Sequence, residues 1–219
     1  MNDWQWIAGI IVLLTVFKCK QDIKQHFIPK LKNDSSFQKV TGIVIAGIFL
    51  LWQANAGIYQ GLEVHFLGLT VLSLMYGWRI AFILVLTIQS VSYAYHGFSD
   101  PFFLSDVVLS GLIPILITYT VFLLTYRYLP KNVFVFIFVA GFFNAGLTGS
   151  LHILFRGGFY LISDQFGWEI IADNYFTLIP LLIFPEGLLN GMSLALLCVY
   201  RPEWLRVFRD RDYLYTSKD

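Results

Sequence analysis

Gly61 to Arg79 forms an almost unbroken apolar run, Gly-Leu-Glu-Val-His-Phe-Leu-Gly-Leu-Thr-Val-Leu-Ser-Leu-Met-Tyr-Gly-Trp-Arg. As a helix its nineteen residues rise about 28 Å, close to the thickness of the hydrocarbon core of a bilayer. Six more apolar stretches accompany it, so that seven segments are expected, at about 4–17, 40–57, 61–79, 80–97, 105–126, 133–155 and 176–200. Only 13% of the residues are charged and 57% are hydrophobic, whereas a soluble domain carries about 25% charged residues. Too few charges remain to clothe a water-facing surface. The expected fold is therefore all-α: a polytopic membrane protein of about seven transmembrane helices, a single integral-membrane domain over residues 1–219.

The first segment follows Met-Asn-Asp without a Lys or Arg, and no A-x-A site comes after it. It reads as a retained segment rather than a cleaved signal peptide. At fourteen residues it also suits an interfacial or re-entrant piece. Residues 18–39 form the most polar stretch, with Lys18, Lys20, Lys24, Lys30, Lys32 and Lys39. Ile23, Phe27, Ile28 and Leu31 recur there at near-helical spacing, as in a surface-lying piece that Pro29 interrupts. Placing the N-terminus outside and the C-terminus inside puts every Lys and Arg except Arg156 on the cytoplasmic side, as the positive-inside rule asks. The basic stretch 18–39 and the tail 201–219 then face the cytoplasm. Arg156 opens an outer loop, 156–175, with Asp164, Glu169 and Asp173.

Orientation gives the polar residues a depth. His65 falls about 6 Å inside the outer end of the third segment. His152 lies at similar depth in the sixth, and His96 and Asp100 at the outer end of the fourth; Glu63 is within a turn of His65. Ionisable groups in a span mark functional sites, and imidazole is the commonest transition-metal ligand. Histidines near helix ends also serve as interfacial side chains or interhelical hydrogen-bond partners, and both readings stand. In the seventh segment Pro180, Pro185, Gly187 and Gly191 are expected to break or bend the helix. Glu186 and Asn190 share one helix face, several ångströms below His65. Small residues at Gly42 and Ala46, at Gly141, Ala145 and Gly149, and at Gly187 and Gly191 favour close helix contacts.

No phosphate-binding GxxxxGK[ST], HExxH or GxSxG occurs, so nothing supports ATP hydrolysis, a metalloprotease or a serine hydrolase. Neither an enzyme nor a nucleic-acid binder is expected. Cys19 and Cys198 have no metal or redox spacing.

Val64-His65-Phe66-Leu67-Gly68-Leu69, running on to Met75-Tyr76-Gly77-Trp78, resembles the T-H-L-L-G…L-L-G-P-W stretch of the CbiM/NikM-type proteins. Phe184-Pro185-Glu186-Gly187-Leu188 is similar to their late I-G-E-G-L-I-T helix. The likeness covers roughly residues 58–200, and Phe134 to Asn144 with Val199 to Trp204 looks like a divergent branch of the family. Members are the substrate-capturing membrane components of cobalt and nickel energy-coupling-factor (ECF) ABC transporters. The resemblance implies separate ATPase subunits and a coupling membrane subunit as partners, a bacterial inner (plasma) membrane, and a transported divalent ion (Co, Ni or another) with no permanently bound cofactor. It also implies metal capture by the N-terminal amine, a histidine at the second position and the histidine matched here by His65. This chain has Asn2 where the family has that second-position histidine, which leaves His152 as a candidate second ligand. Glu186, Asn190, Glu63 and His96 are expected to support the site. The alternative is a non-transporting membrane scaffold or assembly factor, with structural polar residues and the basic tail as its docking surface.

Overall fold

The computed structural model describes residues 3–59, 61–209 and Tyr213, and helices dominate it. They are α1 (Asp3–Asp22), α2 (Ile28–Asn33), α3 (Ser35–Gln53), α4 (Leu69–Tyr76), α5 (Trp78–Tyr95), α6 (Phe103–Tyr128), α7 (Val133–Ile162), α8 (Trp168–Asn174) and α9 (Ile179–Tyr200). Among the described residues, five helical stretches are long and apolar enough to cross a bilayer: α3, α5, α6, α7 and Trp168–Tyr200, which contains α9. Helix α1, with Trp6, Leu13 and Phe17 exposed, runs between the same two ends. One end gathers the tips of α3 and α5 with His65 and His96. The other gathers Asp22, Trp78, Arg127 and Arg201. They are called here the histidine end and the basic end.

The third apolar segment is not one helix, which corrects the expectation for 61–79. Residues 54–59 and 61–68 form a loop pinned by a two-residue antiparallel ladder, β1 (Asn55–Ala56) against β2 (Val64–His65), with Asn55 opposite His65. Helix follows only at Leu69, for eight residues. Gly68, at φ 65°, takes a left-handed turn that a side chain would resist, and its N–H and that of Leu67 are directed to a carboxylate on α9. Continuous helix would direct those N–H groups to carbonyls four residues back.

Prolines fall differently from expectation too. Pro29 does not interrupt the 18–39 stretch; it sits in the first turn of α2, preceded by a widened π turn over Ile23–Phe27. The widened turn accommodates a ring that lacks an N–H and would crowd a normal turn. The chain breaks instead at Asp34, whose carboxylate accepts from the N–H groups of Ser36 and Phe37 at 2.9 and 3.0 Å and caps α3. Pro114 in α6 follows a similar π turn, Val107–Leu112. Pro180 occupies the first turn of α9, and α9 runs unbroken through Pro185. Of the break or bend expected in the seventh segment, the break is absent.

The small residues of α7 and α9 meet each other. A Cβ on Gly187 would come within 2.9 Å of the Phe142 carbonyl oxygen, and one on Gly191 within 3.1 Å of the Phe142 Cβ. Close backbone approach of this kind replaces hydrophobic drive between helices in lipid. On α3, by contrast, nothing lies within 4 Å of a Cβ built on Gly42. Helix α7 also continues past Arg156 to Ile162, so Arg156 does not open an outer loop. Its guanidinium is partly buried against Asp106 of α6, Nη2 to Oδ2 at 3.0 Å, and its Nε–H donates to the Tyr160 hydroxyl at 2.7 Å. A pairing partner inside the bundle lets the cation sit within a helix. Apart from the main core, Leu62, Ile153, Tyr160, Ile171, Tyr175, Leu178 and Leu182 form a second apolar cluster that seats the His65 loop at the histidine end.

Candidate functional site

The loop that carries His65 is held by groups far away in sequence. Glu186 of α9 accepts the N–H of Leu67 at 2.8 Å on one carboxylate oxygen and the N–H of Gly68 at 2.9 Å on the other. The Asn190 side-chain oxygen accepts the N–H of Val71 at 3.0 Å, while its amide nitrogen donates to the Glu186 carboxylate and to the Glu186 main-chain oxygen, each at 2.8 Å. The Trp52 indole N–H donates to the Leu67 carbonyl at 3.1 Å. Gly68, at the start of α4, has no side chain with which to cap it. Glu186 and Asn190 do that work from another helix, satisfying N–H groups that a short helix would leave open. Both are buried, at 1% and 0% exposure. Both side chains act on the backbone of the loop and of the first turn of α4.

His65 stands on β2 beside Trp52, ring centres 5.3 Å apart. Its Nδ1 lies 3.1 Å from the Phe66 carbonyl, an arrangement that fixes Nδ1 as donor and leaves Nε2 as the lone-pair nitrogen. His152, on α7, is buried; its ring centre lies 6.4 Å from that of His65. His152 Nε2 lies 3.0 Å from the Ser110 hydroxyl, and its Nδ1 has no partner among the described residues. Ser110 belongs to the π turn of α6, and such turns recur at functional sites. The buried side-chain oxygen of Gln89 likewise has no partner among the described residues.

A cavity of about 240 Å³ opens over His65 and over Ser110, the partner of His152, which itself lies behind the cavity wall. His65, Gln89 and Ser110 line it, with Glu63, Asp100 and Asp106 set against one cation, Arg156. The carboxylates outnumber the guanidinium, so the cavity favours a cation. Glu63 and His96 reach it from exposed positions; His96 Nδ1 lies 2.8 Å from the Ser92 carbonyl. The fourth histidine, His26, is at the basic end beside Asp22. Two imidazoles on one tetrahedral transition-metal ion have ring centres about 5 Å apart, given metal–nitrogen bonds of about 2.1 Å. The observed 6.4 Å is about 1 Å wider, so the rings would close by that much on a shared ion. Among the described residues no three His, Cys, Asp or Glu side chains converge as a ligand group. Met1 and Asn2, where the family resemblance puts further ligands, lie outside the described residues.

Several polar residues at the site escaped the reading of the sequence. Ser110, Gln89 and the Asp106–Arg156 pair are among them. So is a buried chain below the loop, in which the hydroxyls of Thr70, Thr118 and Thr148 are linked at 3.1 Å each and Asn144 donates to the Thr118 carbonyl at 3.0 Å. The only sequence signal was a sparse set of hydroxyls and amides inside apolar runs.

No curated protein and no solved structure matches the chain. The family model of CbiM, the cobalt uptake substrate-specific transmembrane region, matches residues 2–204. That match spans α1, the His65 loop, the Glu186 helix and nearly everything between, and this multi-pass membrane chain belongs to the CbiM family.

Proposed function

We propose that this chain is the substrate-binding membrane component of an ECF-type uptake transporter for a transition-metal ion. His65 Nε2 is the primary ligand and His152 Nδ1 the second; Glu186 and Asn190 fix the loop that presents His65. The observation that carries this reading is the approach of two imidazoles to 6.4 Å at an acidic cavity, one of them with a buried nitrogen that has no partner among the described residues. A buried polar atom without a partner is costly and rare, and a bound ion would supply its missing bond.

In this reading the ion enters from the histidine end, drawn by Glu63, Asp100 and Asp106, and exchanges water for imidazole nitrogen. Water or main-chain groups complete its shell, because two nitrogens fill only half of a tetrahedral one. The chain carries no nucleotide-binding loop, so coupling to ATP belongs to separate ATPase subunits through a coupling membrane subunit. Seven passes in a single domain, with the histidine end outside and the basic end in the cytoplasm of a bacterial inner membrane, complete the proposal, on the strength of the charge distribution.

The test is metal content and affinity of the detergent-purified protein after loading with Co, Ni, Zn or Cu. Wild type is expected to hold one ion per chain, and His65→Ala to lose it. Metal binding unchanged in a folded His65→Ala protein would sink the proposal.

A further inference from the structure

A second cavity, of about 410 Å³, lies at the basic end. Three guanidinium groups line it, those of Arg79, Arg206 and Arg209, and a single carboxylate, that of Asp22. The carboxylate is fully engaged. Both its oxygens accept from Arg206 at 2.8 Å, and His26 Nδ1 lies 2.9 Å from Oδ1. Arg206 also donates to the Tyr76 carbonyl at 3.1 Å, and its main-chain N–H donates to the Met75 carbonyl at 3.1 Å. Arg206 is therefore neutralised and fixed, and it straps the tail under α4.

Arg79 and Arg209 are different. Both are exposed, and among the described residues neither forms an ion pair with a carboxylate. Arg79 is stacked on Trp78 at 5.2 Å. Among the described residues the cavity thus holds an excess of two positive charges, three arginines against one aspartate.

Its position narrows the choice of anion. Trp78 and Arg79 begin α5, and Phe122 and Leu123 lie on the last two turns of α6. Leu123 is half exposed on an apolar helix surface, so one wall of the cavity faces acyl chains while the arginines face the aqueous boundary. A phosphate flanked by hydrocarbon on one side and water on the other is the chemistry of a phospholipid headgroup. Basic pockets between helices at this level take acidic headgroups, and arginine forks match phosphate oxygens in pairs.

We propose that this cavity binds the phosphate of an acidic phospholipid, with Arg79 and Arg209 as its direct partners and the Asp22–Arg206 pair as its fixed floor. The lipid bridges α5 to the tail strap and closes the basic end.

Native mass spectrometry of the delipidated full-length protein, titrated with phosphatidylglycerol or phosphatidylcholine, tests this. One phosphatidylglycerol per chain is expected, held about thirtyfold more tightly than phosphatidylcholine. The double variant Arg79→Gln/Arg209→Gln should lose that preference. Each single variant should weaken phosphatidylglycerol about fivefold, and these carry the test if the double variant does not fold. Arg201→Gln removes an exposed cation at the same end, one already paired with Glu203, and should change nothing. Equal retention of the two lipids, or wild-type retention in the arginine variants, would overturn the proposal. Displacement of phosphatidylglycerol by millimolar inorganic phosphate would assign the site to free phosphate and overturn the lipid source.

Discussion

Two buried polar groups sit on either side of the His65 loop and are built on opposite principles. Beneath it, Glu186 and Asn190 use their polar atoms on three backbone N–H groups and on each other. Beside it, His65 and His152 approach one another while the Nδ1 of His152 has no partner among the described residues. The first arrangement is saturated; the second leaves a nitrogen open. Saturated hydrogen bonding fixes geometry, and in the proposed function the open nitrogen gives that geometry a use. On that reading scaffold and site meet within a few residues of sequence, since Leu67 and Gly68 belong to one and His65 to the other.

Glu186→Ala should break the comparison most severely. It leaves two buried N–H groups open and removes the partner of Asn190, a loss of about 2–4 kcal/mol in stability. Thermal unfolding in detergent should show a lowered transition, with metal binding lost at the same time because His65 is no longer held. His65→Ala should separate the two effects: metal affinity falls by about a hundredfold or more, while the unfolding transition of the metal-free protein stays close to wild type. Calorimetric titration beside a melting curve reads both. Ser110→Ala is expected to weaken metal binding about tenfold, as loss of a group that orients a ligating imidazole does, with stability little changed.

The smallest effect concerns the basic end. The Arg206 hydrogen bonds hold the Asp22 carboxyl below its usual range. Its contribution to stability is therefore fully present above the ordinary value of about 3.9 and is lost as pH falls through the lower folded value. With Arg206 half exposed the pair is worth under about 1 kcal/mol. Asp22→Asn should lower the melting temperature slightly at neutral pH and remove that part of the acid-induced decline. Melting curves between pH 5 and 2 test the sign.

Much of this was legible in local sequence. Apolar runs of membrane length show themselves because lipid admits few charges, and all seven segments contain or overlap helices of the structure, the third only in its second half. The small residues of α7 and α9 announced their contact. The third segment misled because its hydrophobicity is that of a buried loop as much as of a helix; periodicity cannot tell the two apart when every face is covered. Pro29 misled because a widened turn absorbed it. Arg156 was assigned to a loop by charge alone, and its partner Asp106, fifty residues away, gave no sign of itself.

By itself, then, the sequence determined that this is a membrane chain, that its cations gather at one end, and that His65 and Glu186 stand in motifs resembling the CbiM family. These are properties of composition and short motifs. Only the tertiary structure decided that Glu186 grips the backbone of the His65 loop across 119 positions, that the rings of His65 and His152 come within 6.4 Å of each other, and that Arg156 is paired. Each depends on which helix faces which, and that is set by packing between distant segments, which no local pattern encodes.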